Sequence, residues 1–488
     1  MTHKRGCMTR LSLCKAVWLL CVFCGLIIAT SSAQTVTNVV NFSGTPGGAL
    51  PFAGLVEGTS GNIFGATLRG GPNTSTCIGG CGTVFKIVGA GQVSILHSFC
   101  ALGGCTDGTY PYGALVQAAN GSFYGTTFNG GLYTYGTVFQ LSATGTLTTI
   151  YNFNVNDGSL PYGGLVQGAD GNLYGTTLFG GPKNYGTIFK ITPAGTLTTL
   201  YTFCAQTNCT DGEFPYAALV QGTDGNLYGT TAAGGTGAKG TVFRINKSGS
   251  LTTLYNFCSE ASCTDGYFPY AGLIEASDGN FYGTTYYGGS FTSCGIGVGC
   301  GTVYRISTSG TLTTLHSFSG ADGQYTFSGL VQATDGNLYG TTYAGGANGD
   351  GTLFEISMGG ALTTLHSFTG TDGQYPVVGL TQATNGQLYG TAIFGGSTDN
   401  GTVFTLNAGL GPFVEVLPST GKVGSSVTIF GNNLTGTTKV TFNGTSATFT
   451  LLSASAIKAT VPTGATSGTI QVTTPKGTLS SNVTFRVQ

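Results

Sequence analysis

A seven-residue phrase that returns seven times constrains this chain more than any other feature. Its clearest copy is Gly171-Asn172-Leu173-Tyr174-Gly175-Thr176-Thr177. The second glycine recurs at Gly65, Gly125, Gly175, Gly229, Gly283, Gly340 and Gly390, at intervals of 50 to 60 residues. A unit of that length buries its apolar face only by stacking on its neighbours, so the repeat decides the architecture. A second phrase, GTVF-like, begins at Gly82, Gly136, Gly186, Gly240, Gly301, Gly351 and Gly401. A third, LTTLYTF-like, begins at Val93, Leu147, Leu197, Leu251, Leu312 and Leu362.

Each unit therefore carries four short runs, in the order GGLVQG, NLYGTT, GTIFKI and LTTLYTF. They are rich in Thr, Tyr, Val, Leu and Phe and bounded by glycine turns, which reads as four strands. Asp170-Gly171, Asp224-Gly225, Asp278-Gly279 and Asp335-Gly336 fall between the first and second runs, where a tight hairpin favours Asp-Gly. The expected fold class is all-β, a seven-bladed β-propeller over residues 34–411. The seventh unit stops after its third run, Gly401 to Leu406, while a spare fourth run, Val36 to Phe42, stands at the opposite end of the sequence. Pairing the two closes a ring and leaves no open sheet edge. A β-solenoid, the alternative, has no use for that spare strand.

Composition agrees. Charged residues are 7% of the chain, against about 25% in an ordinary soluble domain. Glycine accounts for 85 of 488 residues, with 24 Tyr and 30 Phe, which disfavours a helical protein. No clustered positive charge is present to displace counterions, so nucleic acid is not an expected partner.

Residues 1–33 read as a secretory signal peptide. Lys4, Arg5, Arg10 and Lys15 precede or begin an apolar run from Ala16 to Ala29, and Ser31-Ser32-Ala33 supplies a small-residue cleavage site. A retained anchor and lipidation at Cys24 are the alternatives. No transmembrane segment is expected after cleavage, and the location expected is secreted: extracellular, cell-surface or periplasmic. Cleavage leaves 13 basic against 18 acidic residues, a net charge of −5. The ten remaining cysteines fall into five close pairs, Cys77/Cys81, Cys100/Cys105, Cys204/Cys209, Cys258/Cys263 and Cys294/Cys300. In an exported chain these read as disulfides. A metal site is the rival reading, weakened because the spacings are not of the CxxC type.

The GN-Y-GTT, GG and GTVF phrases over about residues 36–408 resemble the GloVer tandem-repeat proteins, exported bacterial proteins defined by their repeat. That resemblance implies export and no particular activity. After Gly411 the pattern changes. Pro418, Gly421 and Gly424 precede Val427-Thr428-Ile429, followed by Gly431, Val440-Thr441-Phe442-Asn443-Gly444, Ile457 to Pro462 and the closing Phe485-Arg486-Val487. This resembles the IPT/TIG family, which implies an Ig-like β-sandwich over residues 412–488, acting as spacer or interaction domain without catalytic residues. The repeats carry 8 basic and 17 acidic residues, while the module carries five basic residues and Glu415 alone. That split allows the module to dock on the repeats; solvated faces are the plainer reading.

The loops that vary most in length join the second run to the third and each unit to the next, and all five cysteine pairs lie in them. On a propeller these loops share one face, where binding usually evolves, so the pairs are expected to staple an open rim. The loops also carry a recurring D-G-x-aromatic-P-Y motif. Its aspartates are Asp107, Asp157, Asp211, Asp265, Asp322 and Asp372. Tyr112, Tyr162, Tyr216 and Tyr270 follow, with Phe52 and Phe327 at matching positions and Val377 breaking the series. Aromatics beside carboxylates suit a saccharide; carboxylates also suit calcium, the one cofactor considered. Turn chemistry and packing between units are the structural alternative.

No catalytic residue is assigned. His97, His316 and His366 occupy the slot of Tyr151, Tyr201 and Tyr255, which argues for packing and against His-based nucleophilic catalysis. The non-repeated acids Glu213, Glu260, Glu275 and Glu355 mark no pair of the kind glycoside hydrolysis needs. The expected function is an exported, non-enzymatic binding or adhesion protein whose partner is a polysaccharide or a surface protein. The alternatives are a lyase or hydrolase with its site in the channel mouth, and a purely structural surface protein.

Overall fold

The computed structural model describes residues 34–488 apart from Ala90 and Ile296, so the expected leader lies outside the described residues. The described chain is all-β except for three single turns of 3-10 helix, Gly103–Cys105, Thr207–Cys209 and Ala261–Cys263. No described helix is long and apolar enough to cross a membrane.

The repeat produces four-stranded antiparallel sheets that follow one another like propeller blades. We number them one to seven from their innermost strands, which begin at Val56, Val116, Val166, Val220, Ile274, Val331 and Thr381. The third sheet shows why the phrases travel together. It orders Val166–Gln167, Leu173–Thr177, Thr187–Ile191 and Leu197–Thr202 from inside to outside. All five residues of Leu173–Thr177 are buried, because neighbouring sheets cover both faces. Gly175 pairs with Phe189. A Cβ at Gly175 would lie 2.6 Å from the Phe189 ring, so the glycine of one phrase makes room for the phenylalanine of the next. The hydroxyls of Thr177 and Thr187 meet at 2.8 Å. Tyr174 is fully buried, and its hydroxyl donates to Asp170 in the hairpin at 2.7 Å.

The run GGLVQG pairs over only two residues, Val166 and Gln167. Its earlier residues lie against the neighbouring sheet instead. Thr176 donates to the Ala217 carbonyl, Thr230 to that of Ala271 and Thr284 to that of Ser328, each at 3.0 Å. Near the axis the chains converge, and these carbonyls find hydroxyls on the preceding sheet before they find a ladder partner.

The sheets are joined in order by apolar clusters, and the last returns to the first. Phe64 and Phe139 share one cluster between sheets one and two, and Phe354 packs with Tyr282 between five and six. Phe42 and Phe85 share another with Val403 and Ala383 of sheet seven. A belt of side chains repeats the same circuit. The turn of each sheet donates a backbone N–H to the second residue of the next inner strand: Thr59 to Gln117, Ala119 to Gln167, Ala169 to Gln221, Thr223 to Glu275, Ser277 to Gln332, Thr334 to Gln382 and Thr384 back to Glu57. Sheet seven draws its outer strand from the other end of the described chain. Thr35–Asn41 pairs antiparallel with Thr402–Asn407, matching the closure expected from the spare fourth run.

Beyond Gly411 two further four-stranded antiparallel sheets share one core that includes Ile429, Leu434, Val440, Phe442, Ile457 and Phe485. This module rests on the tight turns between first and second strands. Phe413 N–H donates to the Thr384 carbonyl at 3.0 Å, and Asn432 to the Thr384 hydroxyl at 2.9 Å. Ser455 donates to Thr59 at 3.3 Å. Arg486 donates to the Gly222 carbonyl at 3.2 Å and stands 3.6 Å from Glu275. These contacts reach sheets one, four, five and seven, so the module lies across the ring.

Candidate functional site

The face away from the module carries the long loops. Five disulfides form in them, as the spacing suggests: Cys77–Cys81, Cys100–Cys105, Cys204–Cys209, Cys258–Cys263 and Cys294–Cys300. Cys81 and Cys300 lie beneath the loops that they close. Both are fully buried, with Cys77 and Cys294 close behind. Cys300 directly precedes Gly301 and the strand Thr302–Ile306, and it packs with Tyr282, Val303, Phe318 and Phe354 in the cluster between sheets five and six. Its carbonyl accepts the N–H of Tyr325 at 2.9 Å. The residue before the GTVF glycine lies against the strand ends, where the low polarity of a disulfide sulfur suits the core. Cys294–Cys300 therefore ties its loop down to the core, while Phe291, Gly295 and Gly297 of that segment stay exposed.

The Cys81, Cys100 and Cys105 sulfurs lie within 4.8 Å of one another, so two staples stand side by side at the start of the ring. Bound as disulfides, these sulfurs are not available as thiolate ligands.

The six repeated aspartates turn back into their own loops. Asp211 is fully buried and accepts from the Tyr201 hydroxyl and the Ala205 N–H, both at 2.8 Å. Asp265 takes the same bonds from Tyr255 and Ser259 at 2.9 Å. Asp157 accepts from Tyr151 at 2.7 Å and from the Asn154 N–H at 3.0 Å. At Asp107, Asp322 and Asp372 the outer-strand partner is His97, His316 or His366, at 3.0, 2.8 and 2.7 Å. The interchange of Tyr and His in this slot thus has a physical basis: either presents one polar atom to a loop carboxylate. Burial by itself would raise the carboxyls of Asp107 and Asp322. Hydrogen bonds from the histidine and from loop N–H groups outweigh it and hold both below the usual range.

Replacing Asp211 by alanine orphans two backbone N–H groups and a tyrosine hydroxyl. The expected cost is about 2–4 kcal/mol in urea denaturation. A loss below about 0.5 kcal/mol would show that the loop holds without its carboxylate.

The aromatic half of the motif goes to the axis. Tyr112, Tyr162, Tyr216 and Tyr270 line one cavity of about 210 Å³ with Phe52, Phe327 and Val377. The rest of its wall is glycine, alanine, Val378 and backbone, and no carboxylate is part of it. The rings touch in unbroken series: Phe52 to Tyr112 at 5.1 Å, Tyr112 to Tyr162 at 4.5 Å, Tyr162 to Tyr216 at 5.2 Å, Tyr216 to Tyr270 at 5.0 Å and Tyr270 to Phe327 at 5.3 Å. Burial pushes all four phenols above their ordinary value, so they stay neutral at physiological pH. Among the described residues, none of these four hydroxyls has a protein hydrogen-bond partner. The structure therefore gathers the tyrosines into a cup and leaves the aspartates out of its wall.

Two features were not read from the sequence. Two residues before each cup position stands a non-glycine residue with φ between 55° and 62°: Leu50, Tyr110, Leu160, Phe214, Phe268, Tyr325 and Tyr375. Each is pinned by its own N–H and carbonyl; Phe214, for example, bonds Tyr185 and Ala232 at 3.0 Å. A left-handed bulky residue costs about 1–3 kcal/mol and persists only where its surroundings impose it. The second feature is the Gln/Glu belt. Its signal was visible as a V-Q step at a fixed place in the repeat, with Glu only at Glu57 and Glu275. Of the non-repeated acids Glu213, Glu260, Glu275 and Glu355, Glu275 contacts the module, through Arg486.

A sequence model described as "Gloeobacter/Verrucomicrobia repeat" matches residues 73–297 and 263–452. This chain belongs to the Gloeobacter/Verrucomicrobia repeat family. No curated protein matches the chain. Among solved structures, a fungal alcohol oxidase of the AA5 family in complex with copper superposes with a TM-score of 0.52 at 12% identity, covering 94% of this chain and 100% of that one. The extracellular domain of BT4673 from B. thetaiotaomicron gives 0.49 at 13% identity, with 93% of this chain covered and 59% of that one. A luciferin-regenerating enzyme gives 0.40 at 12% identity, with 78% and 97% covered. At these identities the likeness concerns the fold alone.

Proposed function

We propose that this member of the Gloeobacter/Verrucomicrobia repeat family is an exported, non-enzymatic binding protein. Residues 1–33 are its signal peptide. Residues 34–411 form a seven-bladed β-propeller closed by its first strand, and 412–488 an Ig-like module of the IPT/TIG type. It acts at the cell surface or outside the cell, and a polysaccharide or surface protein covers the rim of long loops.

The observation that carries this reading is the cup. Six aromatic rings and four neutral phenol hydroxyls without protein partners converge where the rim loops enter the channel. Such a surface binds by contact and offers no differentiated acid and base. The copper of the fungal oxidase is not carried over. His97, His316 and His366 are each engaged with a loop aspartate, and none lines the cavity. Calcium finds no carboxylate in the cup wall either.

The test is a panel of polysaccharides and cell-surface extracts passed over immobilised residues 34–488, scored for retention and for product release. Retention without products is expected. Tyr162→Ala should weaken it by about tenfold or more, while Asp211→Ala leaves it unchanged once folding is verified. Product release would replace the binding reading with an enzymatic one. No retention of any partner would favour a purely structural role.

A further inference from the structure

We infer that the cup receives a quaternary ammonium group, a fully alkylated nitrogen carried by the larger partner that covers the rim. This rests on the binding reading above and names the chemistry at its centre.

The argument starts from what the wall lacks. Apart from its rings it is built of glycine, alanine, valine and backbone, with no carboxylate, amide, guanidinium or ammonium side chain. A sugar ring would bring more hydroxyls than four phenols can satisfy, and each buried hydroxyl left unpaired costs about 1–3 kcal/mol. A primary ammonium is a compact, strongly hydrated point charge, so stripping its water in a cup walled mainly by rings costs more than for a weakly hydrated cation. A metal cation needs several oxygen ligands in fixed geometry. A quaternary ammonium has no donor to satisfy, is weakly hydrated, and is attracted by the negative faces of aromatic rings. A cavity of about 210 Å³ has room for such a head group and not for a chain of sugars.

Two further observations agree. The charge that favours a cation is present but held back from contact. Asp107, Asp157, Asp211 and Asp265 stand five residues before the four cup tyrosines, each engaged by its own loop, and the repeats as a whole carry 17 acidic against 8 basic residues. That acidic excess makes a cation a better guest than an anion overall, while at the cup itself the rings supply the attraction, against the opposing charge of Arg69 near Tyr112. The left-handed residue two positions ahead of every cup residue fixes how the chain enters the channel. Repeated strain at one place in the sequence unit is what a pre-organised clamp requires.

The experiment is calorimetric titration of residues 34–488 with choline, with its neutral carbon isostere 3,3-dimethylbutan-1-ol, and with neutral oligosaccharides. Choline is expected to bind at least about tenfold more tightly than the isostere. Tyr162→Ala should abolish that binding and Tyr162→Phe preserve it, since the ring and not the hydroxyl makes the contact; thermal melts of both variants check the fold. Equal binding of choline and its isostere would overturn the inference in favour of a plain apolar pocket. An oligosaccharide that binds through Tyr162 while choline does not would overturn it and leave the binding reading standing. Failure of choline, together with no retained partner in the panel, would remove both.

Discussion

Replacing Glu415 by glutamine is expected to flatten the stability of this protein between about pH 5 and pH 8.5, a range over which the native chain loses roughly 3 kcal/mol. Glu415 lies on the first strand of the C-terminal module, Val414–Leu417. Nearby, Glu57 of the first sheet accepts from the Thr384 N–H at 2.6 Å and from its hydroxyl at 2.9 Å. Thr384 in turn holds the module through Phe413 and Asn432. Two carboxyl groups are thus brought together under the module. Burial, reinforced by the charge of Glu57, pushes Glu415 up to about 8. Burial also raises Glu57, partly offset by its bonds from Thr384.

The sign follows from the direction. An acid raised in the folded state binds more protons there than in the unfolded chain. Its contribution is full below the ordinary carboxyl value of 4.5 and is lost as pH rises toward 8. The whole shift would correspond to about 5 kcal/mol, and partial exposure of the side chain brings the expectation down to roughly 3. Asp107, Asp170, Asp224, Asp278 and Asp322 are shifted the other way and stay ionised throughout this range. Urea denaturation of native and E415Q protein at the two pH values reads the effect. A glutamine at 415 should reduce the loss to less than about 1 kcal/mol, and equal losses in the two proteins would refute the account. Glu57→Gln installs the residue that five of the seven sheets use at this place and should likewise stabilise the protein at the higher pH.

Deleting residues 34–42 is expected to abolish cooperative folding. Thr35–Asn41 supplies six residue pairs to Thr402–Asn407, and Val40 and the adjoining Phe42 are buried in the cluster that joins sheet seven to sheet one. Phe42 packs edge-on against Phe85, with centroids 5.2 Å apart. Losing two buried apolar side chains costs about 4 kcal/mol, and a strand's worth of hydrogen bonds adds a few more. That approaches the whole stability of an ordinary domain. The strand left bare, Thr402–Asn407, has its core-facing residues buried in the native ring, so its exposed edge should drive association. Size-exclusion chromatography and thermal melts would show aggregation and a broadened transition. A peptide of residues 34–47 added in trans should restore the native profile. A monomer with unchanged melting temperature would mean that ring closure contributes little.

Much of this was legible along the chain. The phrase period set the number of units, Asp-Gly set the hairpins, and the truncated last unit with its spare strand at the other end of the sequence foretold the pairing of Thr35–Asn41 with Thr402–Asn407. Close cysteine spacing foretold the five disulfides. These are local facts, decided by residues within a few positions of one another or by the count of runs in a unit. The tyrosines were legible as a residue that opens every inner run, with a ligand face beside the aspartates and packing between units both left open. What the aspartates do was not legible. Their partners lie three to ten residues away, but whether a carboxylate turns into its loop or into the channel depends on how the outer strand presents Tyr201 or His316. Nor was the burial of Cys300, because its pairing with Cys294 is local while the aromatic side chains that cover it come from two sheets. The belt from Gln117 round to Glu57, the Thr176 bond to Ala217 and the meeting of Glu57 with Glu415 were decided only by the tertiary structure. Each joins groups about 40 to 360 residues apart whose proximity exists only once the sheets stand side by side. Periodicity specifies which residue recurs, and the neighbouring sheet specifies which atom it meets.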